Sequence, residues 1–208
     1  AVRSVSLAIE RGLLFALIGP NGAGKSTFVN LLAGALKPSA GAVILGGRDV
    51  TGFKPHRIVA AGMARTFQNG RLFRRLTVLD NVLVGATQRV EATLADAVLR
   101  TPRFRRSEEF LRERARAALD RVGLAHLAGA EAASLPYGQQ RMIEIARALV
   151  SEPAMLLLDE PAAGLNSGEV EGFLDTLKTL KAGGLTILLI EHNMGLVMRA
   201  ADRIAVLN

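Results

Sequence analysis

The stretch at residues 13–36, LLFALIGPNGAGKSTFVNLLAGAL, combines an apolar run, a glycine-rich loop and a second mostly apolar segment in that order. Residues 19–26, GPNGAGKS, fit the phosphate-loop pattern G-x-x-x-x-G-K-[ST] without a mismatch. The apolar run at residues 13–18 is typical of a buried parallel strand, and residues 25–36 are predicted to form a helix. A glycine-rich turn without a ligand is the alternative, but all elements of the pattern occur in the required order. The stretch therefore predicts a nucleoside triphosphate site in an α/β fold.

The residue types in this loop suit the binding of phosphates. Glycines let backbone N–H groups approach phosphate oxygens, and the N-terminus of the following helix adds partial positive charge. Lys25 is expected to reach the β- and γ-phosphates, and the Ser26 hydroxyl is expected to bind Mg²⁺. The predicted nucleotide-binding residues are Asn21, Gly22, Ala23, Gly24, Lys25, Ser26 and Thr27.

A second apolar segment, residues 154–158, ends in two carboxylates. Ligands of open α/β sheets bind at the carboxyl ends of the strands, so Asp159 and Glu160 are placed to act on a bound nucleotide. We expect Asp159 to bind Mg²⁺ through a water molecule and Glu160 to orient or deprotonate an attacking water. An apolar run followed by Asp-Glu is also a common end of a strand, and it is the phosphate loop that favours the functional interpretation.

The composition limits the classes of function. The chain has 208 residues, 50% of them hydrophobic, which suffices for one domain with a full core. The absence of cysteine excludes disulfides, thiolate metal sites and nucleophilic cysteine chemistry. The longest apolar runs fall far short of the roughly 18 residues that a membrane-spanning helix needs, and no basic segment followed by an apolar region opens the chain. We therefore expect a chain that does not cross a bilayer by itself.

Much of the formal charge of +7 lies in an arginine-rich segment at residues 100–121. Apolar residues recur there at helical spacing, so the arginines are predicted to occupy the outer face of an amphipathic helix, with Glu108 and Arg112 as an i,i+4 pair. A solvated helix face is one interpretation of this charge. A basic surface for anionic lipid headgroups or an acidic partner is the other.

The alternation of strand and helix breaks in the middle of the chain. Residues 77–150 are mostly helical in pattern, which predicts a helical subdomain inserted between the core segments 1–76 and 151–208 of a single domain. The helices predicted within the insertion are residues 77–86, 91–100, 107–122 and 138–150. The elements predicted after it are helices at 168–182 and 194–200 and strands at 185–190 and 203–207.

Together these motifs resemble the nucleotide-binding subunits of ATP-binding-cassette (ABC) transporters along nearly the whole chain. Gln68 matches the Q-loop of that family, residues 135–141 (LPYGQQR) its L-S-G-G-Q signature, residues 161–166 (PAAGLN) its D-loop, and His192 its switch histidine. The resemblance implies a P-loop NTPase fold with a mainly parallel core sheet, an N-terminal antiparallel β portion and an inserted α-helical subdomain.

In this family two subunits sandwich two ATP molecules, each held by the phosphate loop of one subunit and the signature helix of the other. The resemblance implies catalytic roles for Glu160, His192 and Gln68. His192 is expected to hydrogen-bond the γ-phosphate, and Gln68 to link the metal site to the helical subdomain. The implied metal ligands are Ser26, Gln68 and Asp159. The residues implied to contact the ATP of the partner subunit are Tyr137, Gly138 and Gln139.

Within the family, the strings at residues 64–68 (ARTFQ), 71–85 (RLFRRLTVLDNVLVG) and 190–194 (IEHNM) look like the ATP-binding subunits of branched-chain amino acid importers, as does Asn166 in the D-loop. The resemblance implies a peripheral protein on the cytoplasmic face of the cell membrane. The implied partners are a second ATP-binding subunit, transmembrane permease subunits and, indirectly, a substrate-binding protein.

The main alternative is an ABC-type ATPase that acts on nucleic acid or ribosomes, to which the net charge lends some support. Against it, the chain has one set of motifs and no long heptad insertion, so nucleic acid is not expected as a partner. A module that binds ATP without hydrolysing it is disfavoured by the presence of Glu160.

Two departures from the family pattern affect the site. Pro136 replaces the signature serine, which removes a hydroxyl and a backbone N–H that would face the opposing γ-phosphate. Proline suits the first turn of a helix, so the helix itself is expected to form. Residues 1–10 contain no aromatic residue that would stack on adenine. Because of Pro136, we expect weaker ATP-driven closure at the ATP site that the signature segment, residues 135–141, completes.

Overall fold

The computed structural model describes residues 2, 5–66, 72–89, 96 and 101–208, with the backbone alone at 87–89. The chain divides into two compact units. The α/β unit contains Ala1–Asn69 and Pro153–Asn208, and the helical unit contains Gly70–Glu152. Gln68, and the helix predicted at residues 91–100 apart from Asp96, lie outside the described residues.

The α/β unit is built on a five-stranded sheet. The described residues form the strands β1 (Leu14–Ile18), β2 (Ile44–Leu45), β3 (Arg48–Asp49), β4 (Met63–Arg65), β5 (Met155–Asp159), β6 (Thr186–Ile190) and β7 (Arg203–Val206). The sheet has the order β4-β5-β6-β1-β7, and all of its pairings are parallel. β2 and β3 form a separate two-stranded antiparallel sheet. The predicted α/β fold with a parallel core and an antiparallel portion near the N-terminus is therefore confirmed.

The central strands of this sheet are buried on both faces, which is typical of parallel sheets in α/β proteins. All residues of β5 and β6 are buried, and in β1 only Ile18 is partly exposed. Phe15 belongs to a core cluster with Leu157 and Leu188. The apolar runs of the sequence thus form the centre of the unit, and the site residues that follow them are fixed to a rigid element.

The described residues form seven α-helices and three short 3₁₀ segments. The α-helices are α1 (Lys25–Leu32), α2 (Pro55–Ala60), α3 (Val78–Leu83), α4 (Pro102–Arg121), α5 (Tyr137–Leu149), α6 (Ser167–Ala182) and α7 (Met194–Ala200). The 3₁₀ segments are Val84–Arg89, Ala125–Leu127 and Ala132–Ser134. The predicted helices at residues 138–150 and 168–182 each begin within one residue of α5 and α6.

The end of α1 differs from the prediction, which extended the helix to residue 36. Gly34 has a φ of 70°, and a Cβ at this position would collide with the carbonyl oxygen of Phe53. A glycine in the left-handed conformation just after the C-cap is a common way for a helix to end. α1 therefore stops at Leu32. The approach of the Phe53 carbonyl leaves room only for a glycine at position 34, and that glycine ends the helix.

The helical unit contains α3, α4 and α5. Val78, Val82, Leu119 and Ile143 are fully buried in this unit. The predicted helix at residues 77–86 is α3 followed by a 3₁₀ segment. The helix predicted to start at residue 107 is α4, which starts five residues earlier because Thr101 caps it and a proline follows.

The charged face of α4 agrees with the predicted amphipathic helix. Its buried residues are Ala115, Ala118 and Leu119, and most of its arginines are on the outside. The predicted i,i+4 pair is confirmed, since Arg112 and Glu108 lie 3.0 Å apart. None of the helices in the described ranges is long and apolar enough to cross a membrane.

Candidate active site

Three neighbouring strands end at one edge of the sheet, and predicted site residues follow each of them. Ile190, the last residue of β6, pairs with Asp159 of β5 on one side and with Leu17 of β1 on the other. The phosphate loop after β1 therefore starts beside the segments that carry Glu160 and His192. Ligands of open α/β sheets bind at this edge.

The loop after β1 depends on glycine at both ends. Gly19 lies so close to the carbonyl oxygen of Leu207 that an added Cβ would collide with it. Gly24, the N-cap of α1, has a φ of 95°, a region that favours glycine. The loop thus brings the unpaired N–H groups at the start of α1 to the sheet edge. The other predicted binding residues of the loop are exposed or partly exposed: Asn21, Gly22, Ala23, Ser26 and Thr27.

The ammonium group of Lys25 folds back into this loop. Its Nζ donates to the carbonyl oxygens of Gly19 and Pro20 at 2.6 and 2.9 Å, and the residue is only 8% exposed. Both acceptors are neutral carbonyls, so they orient the ammonium group without cancelling its charge. A charge held in this way can form strong, charge-assisted hydrogen bonds with phosphate oxygens.

Asp159 is held by a partly buried network that the sequence does not reveal. Its Oδ2 accepts a hydrogen bond from Nη2 of Arg65 at 3.0 Å, and Nη1 of Arg65 donates to Oδ1 of Asn30 at 2.6 Å. Asp159 is 3% exposed. The network ties the end of β5 to the end of β4 and to α1. In the sequence each of these elements carries one of the three polar residues, but the spacing of Asn30, Arg65 and Asp159 along the chain does not identify them as partners.

Glu160 and His192 approach each other across the ends of β5 and β6. The Nδ1 atom of His192 lies 3.9 Å from Oε1 of Glu160, and both side chains are partly exposed to solvent. Glu160 has a φ of 48°, which is uncommon for a residue other than glycine, and its N–H donates to the carbonyl of Ile190 at 2.9 Å. The structure thus brings together two of the residues predicted to act on the γ-phosphate.

Glu191, between Ile190 and His192, is a second residue that the sequence analysis did not assign. It is 1% exposed. Its Oε1 accepts from the N–H of Ala162 at 2.9 Å, and its Oε2 accepts from the N–H of His192 at 3.2 Å. A carboxylate directly before a predicted site histidine is the sequence signal, but its burial and its partner in another loop appear only in the fold.

The predicted signature segment lies in the helical unit, at the start of α5. Pro136 is the exposed N-cap, and its carbonyl accepts from the N–H of Gln140 at 3.0 Å. Tyr137 is 44% exposed, with the guanidinium of Arg141 5.1 Å from its ring centroid. Gly138 is buried and Gln139 is partly exposed. The helix forms despite the proline, as predicted.

The side chains near the loop suit a magnesium ion bound together with phosphates. Within the described ranges no three His, Asp or Glu side chains form a metal-binding group, and Mg²⁺ in nucleotide sites commonly takes one or two protein ligands, substrate phosphates and waters. Ser26 is exposed at the first turn of α1. Arg65 donates to Oδ2 of Asp159, and none of the described residues donates to Oδ1. The donor set therefore fits Mg²⁺.

Comparison with known sequences gives consistent results. A family model described as ABC transporter matches residues 2–163. The chain is 45% identical to the high-affinity branched-chain amino acid transport ATP-binding protein LivG of Salmonella typhimurium, over 100% of this chain and 82% of the relative. It is 42% identical, with the same coverage, to BraF of Pseudomonas aeruginosa, which has the same description.

Solved structures agree with the sequence matches. The ADP conformation of MJ1267, an ATP-binding cassette of an ABC transporter, superposes with a TM-score of 0.84 at 34% identity, covering 98% of this chain and 79% of that one. A dimeric post-hydrolysis state of the cassette MJ0796 bound to ADP and Pi superposes with a TM-score of 0.76 at 27% identity, covering 97% of this chain and 84% of that one.

Proposed function

This chain belongs to the ABC transporter family, and we propose that it is the ATP-binding and ATP-hydrolysing subunit of an importer for branched-chain amino acids. Its relatives LivG and BraF are described as ATP-binding proteins of branched-chain amino acid transport. The hydrolytic activity is inferred from the distance of 3.9 Å between Nδ1 of His192 and Oε1 of Glu160, at the sheet edge where the phosphate loop begins.

Nucleotide binding is assigned to the loop after β1. The backbone N–H groups at residues 21–27 and the N-terminus of α1 provide donors for phosphate oxygens. Lys25 would leave the carbonyls of Gly19 and Pro20 to bind the β- and γ-phosphates, since an anionic oxygen is a stronger acceptor than a carbonyl. The loop is therefore held in shape by its own lysine until nucleotide replaces the two carbonyl contacts.

A magnesium ion would be held by Ser26 and by Asp159, with Gln68 assigned as a further ligand from the family resemblance. When bound, the ion would neutralise charge on the β- and γ-phosphates. The contribution of this chain is to keep Asp159 in place, and Arg65 supports that role by binding one carboxylate oxygen and leaving the other available.

Hydrolysis is assigned to Glu160 and His192. Glu160 would orient or deprotonate the attacking water, and His192 would donate a hydrogen bond to the γ-phosphate. Their side chains approach within 3.9 Å from the ends of different strands, which supports action on one substrate. Gln68 is assigned a role in linking the site to the inserted helical subdomain, residues 77–150.

ATP-driven dimerisation couples this chemistry to transport. Tyr137, Gly138 and Gln139 are assigned to contact the ATP of the partner subunit from the N-terminus of α5, where the helix dipole favours a bound anion as it does at the start of α1. A related cassette is dimeric in its ADP- and Pi-bound state. The other partners would be transmembrane permease subunits, which this chain would bind as a peripheral protein at the cytoplasmic face of the membrane, and, indirectly, a substrate-binding protein.

The test of this function is purification of the full-length Glu160→Gln protein from detergent-solubilised cells with ATP and Mg²⁺, followed by mass spectrometry. We expect multi-spanning membrane proteins and a second, related ATPase to copurify. The matched control is the Lys25→Ala/Glu160→Gln protein, which should lose any partner that depends on bound ATP. Recovery of ribosomes or nucleic acid in place of membrane proteins would contradict the transport function.

A further inference from the structure

Glu191 is a buried carboxylate to which the proposed mechanism gives no role. It is 1% exposed and directly follows β6. Removal of a carboxylate from water is unfavourable unless its oxygens accept good hydrogen bonds. A buried acid beside the site therefore needs hydrogen-bond donors for its oxygens, and the donors that it binds indicate its role.

Both oxygens of Glu191 bind backbone N–H groups of site loops. Oε1 accepts from Ala162, which lies two residues after Glu160, at 2.9 Å. Oε2 accepts from His192 at 3.2 Å. Hydrogen bonds to a charged acceptor are stronger than those between neutral groups. One carboxylate thus links the loop after β5 to the loop after β6.

The loop after β5 needs such a contact because Glu160 is in an unfavourable conformation. A φ of 48° is rare for a side-chain-bearing residue, and it persists where the surroundings hold the backbone in place. Two bonds hold this loop to the end of β6: Glu160 N–H donates to the Ile190 carbonyl at 2.9 Å, and Ala162 N–H donates to Glu191. Without the second bond, the loop would be attached on one side of Glu160 only.

We propose that Glu191 is a positioning residue whose carboxylate sets the placement of Glu160 and His192 relative to each other. The inference rests on the proposed function, from which it takes the roles of those two side chains. Glu191 is buried and its oxygens are occupied, so it acts through the N–H groups of Ala162 and His192. Its loss should slow hydrolysis without weakening ATP binding, because the phosphate loop and Lys25 are not among its contacts.

The test uses Glu191→Gln in the full-length protein assembled with its membrane subunits. Glutamine has nearly the same shape, so its carbonyl oxygen keeps one bond while its amide N–H₂ group faces the other N–H donor. We expect kcat for ATP to fall about tenfold or more, while KM and the affinity for a fluorescent ATP analogue stay within about twofold. Glu191→Asp, which keeps the charge on a shorter side chain, should show a smaller loss of the same kind.

The matched control is Thr186→Val, at the opposite end of β6. Thr186 is 6% exposed, and its Oγ1 accepts from the N–H of Gly12 at 3.0 Å. This variant also removes a buried acceptor for a backbone N–H, but far from Glu160 and His192 along the strand. It should lower the thermal unfolding midpoint without lowering kcat.

A double-mutant cycle separates positioning from a general structural effect. If Glu191 acts by positioning Glu160 together with His192, Glu191→Gln should lower the residual rate of Glu160→Gln by a smaller factor than it lowers the wild-type rate. Losses that multiply would overturn the inference, as would a fall in ATP affinity and kcat together. An unchanged kcat in Glu191→Gln, with Glu160→Gln inactive, would overturn it and leave the proposed function standing. Full activity of Glu160→Gln would instead contradict the proposed function.

Discussion

The Nδ1 atom of His192 lies 3.9 Å from Oε1 of Glu160, although the two residues follow different strands of the sheet. This separation is too long for a direct hydrogen bond, and 65% of the His192 side chain is exposed compared with 28% of the Glu160 side chain. The two groups therefore do not satisfy each other. They are placed to act together on a third group, which we assign as the terminal phosphate and its attacking water.

His192→Ala should lower ATP hydrolysis by about a hundredfold or more, because a donor aimed at the charge that develops on the phosphate is lost. ATP affinity should change little, since the phosphate loop is intact. Phosphate release by the assembled transporter and binding of a fluorescent ATP analogue measure the two effects. The matched control is His126→Ala, which changes an exposed histidine of the helical unit. Equal losses in both variants would contradict the assignment of His192.

Arg65→Ala should destabilise the protein by about 3 kcal/mol, because it leaves the buried Asp159 carboxylate without its charged partner. The side chains of this pair are 18% and 1% exposed, respectively. Arg112→Ala is the control, since the Arg112–Glu108 pair is 43% and 47% exposed and such pairs contribute about 0 to 1 kcal/mol. Denaturant unfolding at neutral pH compares the two. Equal destabilisation would show that the Asp159 network is not structurally important.

Asp202 should make the free energy of unfolding of the α/β unit fall as the pH is lowered into the acid range. A hydrogen bond from Lys181 at 2.6 Å, and a second from the N–H of Leu14 at 2.8 Å, hold the pKa of Asp202 below its usual value. Because the folded-state pKa is lowered, the stabilisation is present above the unfolded-state pKa of about 3.9 and is lost as the pH falls through the folded-state value.

The measurement for Asp202 is the thermal unfolding midpoint of wild type and Asp202→Asn as a function of pH. The variant should unfold at a lower temperature near neutral pH, and the two curves should converge in acid. Curves that stay parallel down to the acid limit would contradict the linkage.

Pro136→Ser should raise ATP turnover by the assembled transporter, because serine restores a backbone N–H and a hydroxyl at the start of α5. The fold should tolerate the change, since Pro136 is an exposed N-cap and serine is a favoured residue there. Pro136→Ala restores the N–H without the hydroxyl and so separates the two contributions. Steady-state phosphate release is the measurement, and unchanged turnover in both variants would contradict a defect at this signature.

The sequence alone predicts the parts of the site that depend on which elements follow one another along the chain. The phosphate loop needs a strand before it and a helix after it, and both β1 and α1 follow from the apolar pattern around Gly19 and Lys25. Asp159 and Glu160 were predicted at a strand end for the same reason. His192 was found by its resemblance to a family motif, because a histidine after a strand has no distinctive local pattern.

The sequence did not reveal contacts between distant segments. Nothing in the spacing of Asn30, Arg65 and Asp159 indicates that they form one network, because their side chains meet only when β4 and β5 pair beside α1. The bond from Ala162 to Glu191 was missed for the same reason. Short elements were also missed, since the three residues of β4 are too few to show a period.

The central claim is that Glu160 acts in hydrolysis at a site whose nucleotide is bound by Lys25. The most direct test is to measure phosphate release and ATP affinity in parallel for wild type, Glu160→Gln and Lys25→Ala in the assembled transporter. We predict that Glu160→Gln keeps wild-type ATP affinity while hydrolysis falls about a hundredfold or more, and that Lys25→Ala loses ATP affinity. Hydrolysis by Glu160→Gln at the wild-type rate would contradict the account.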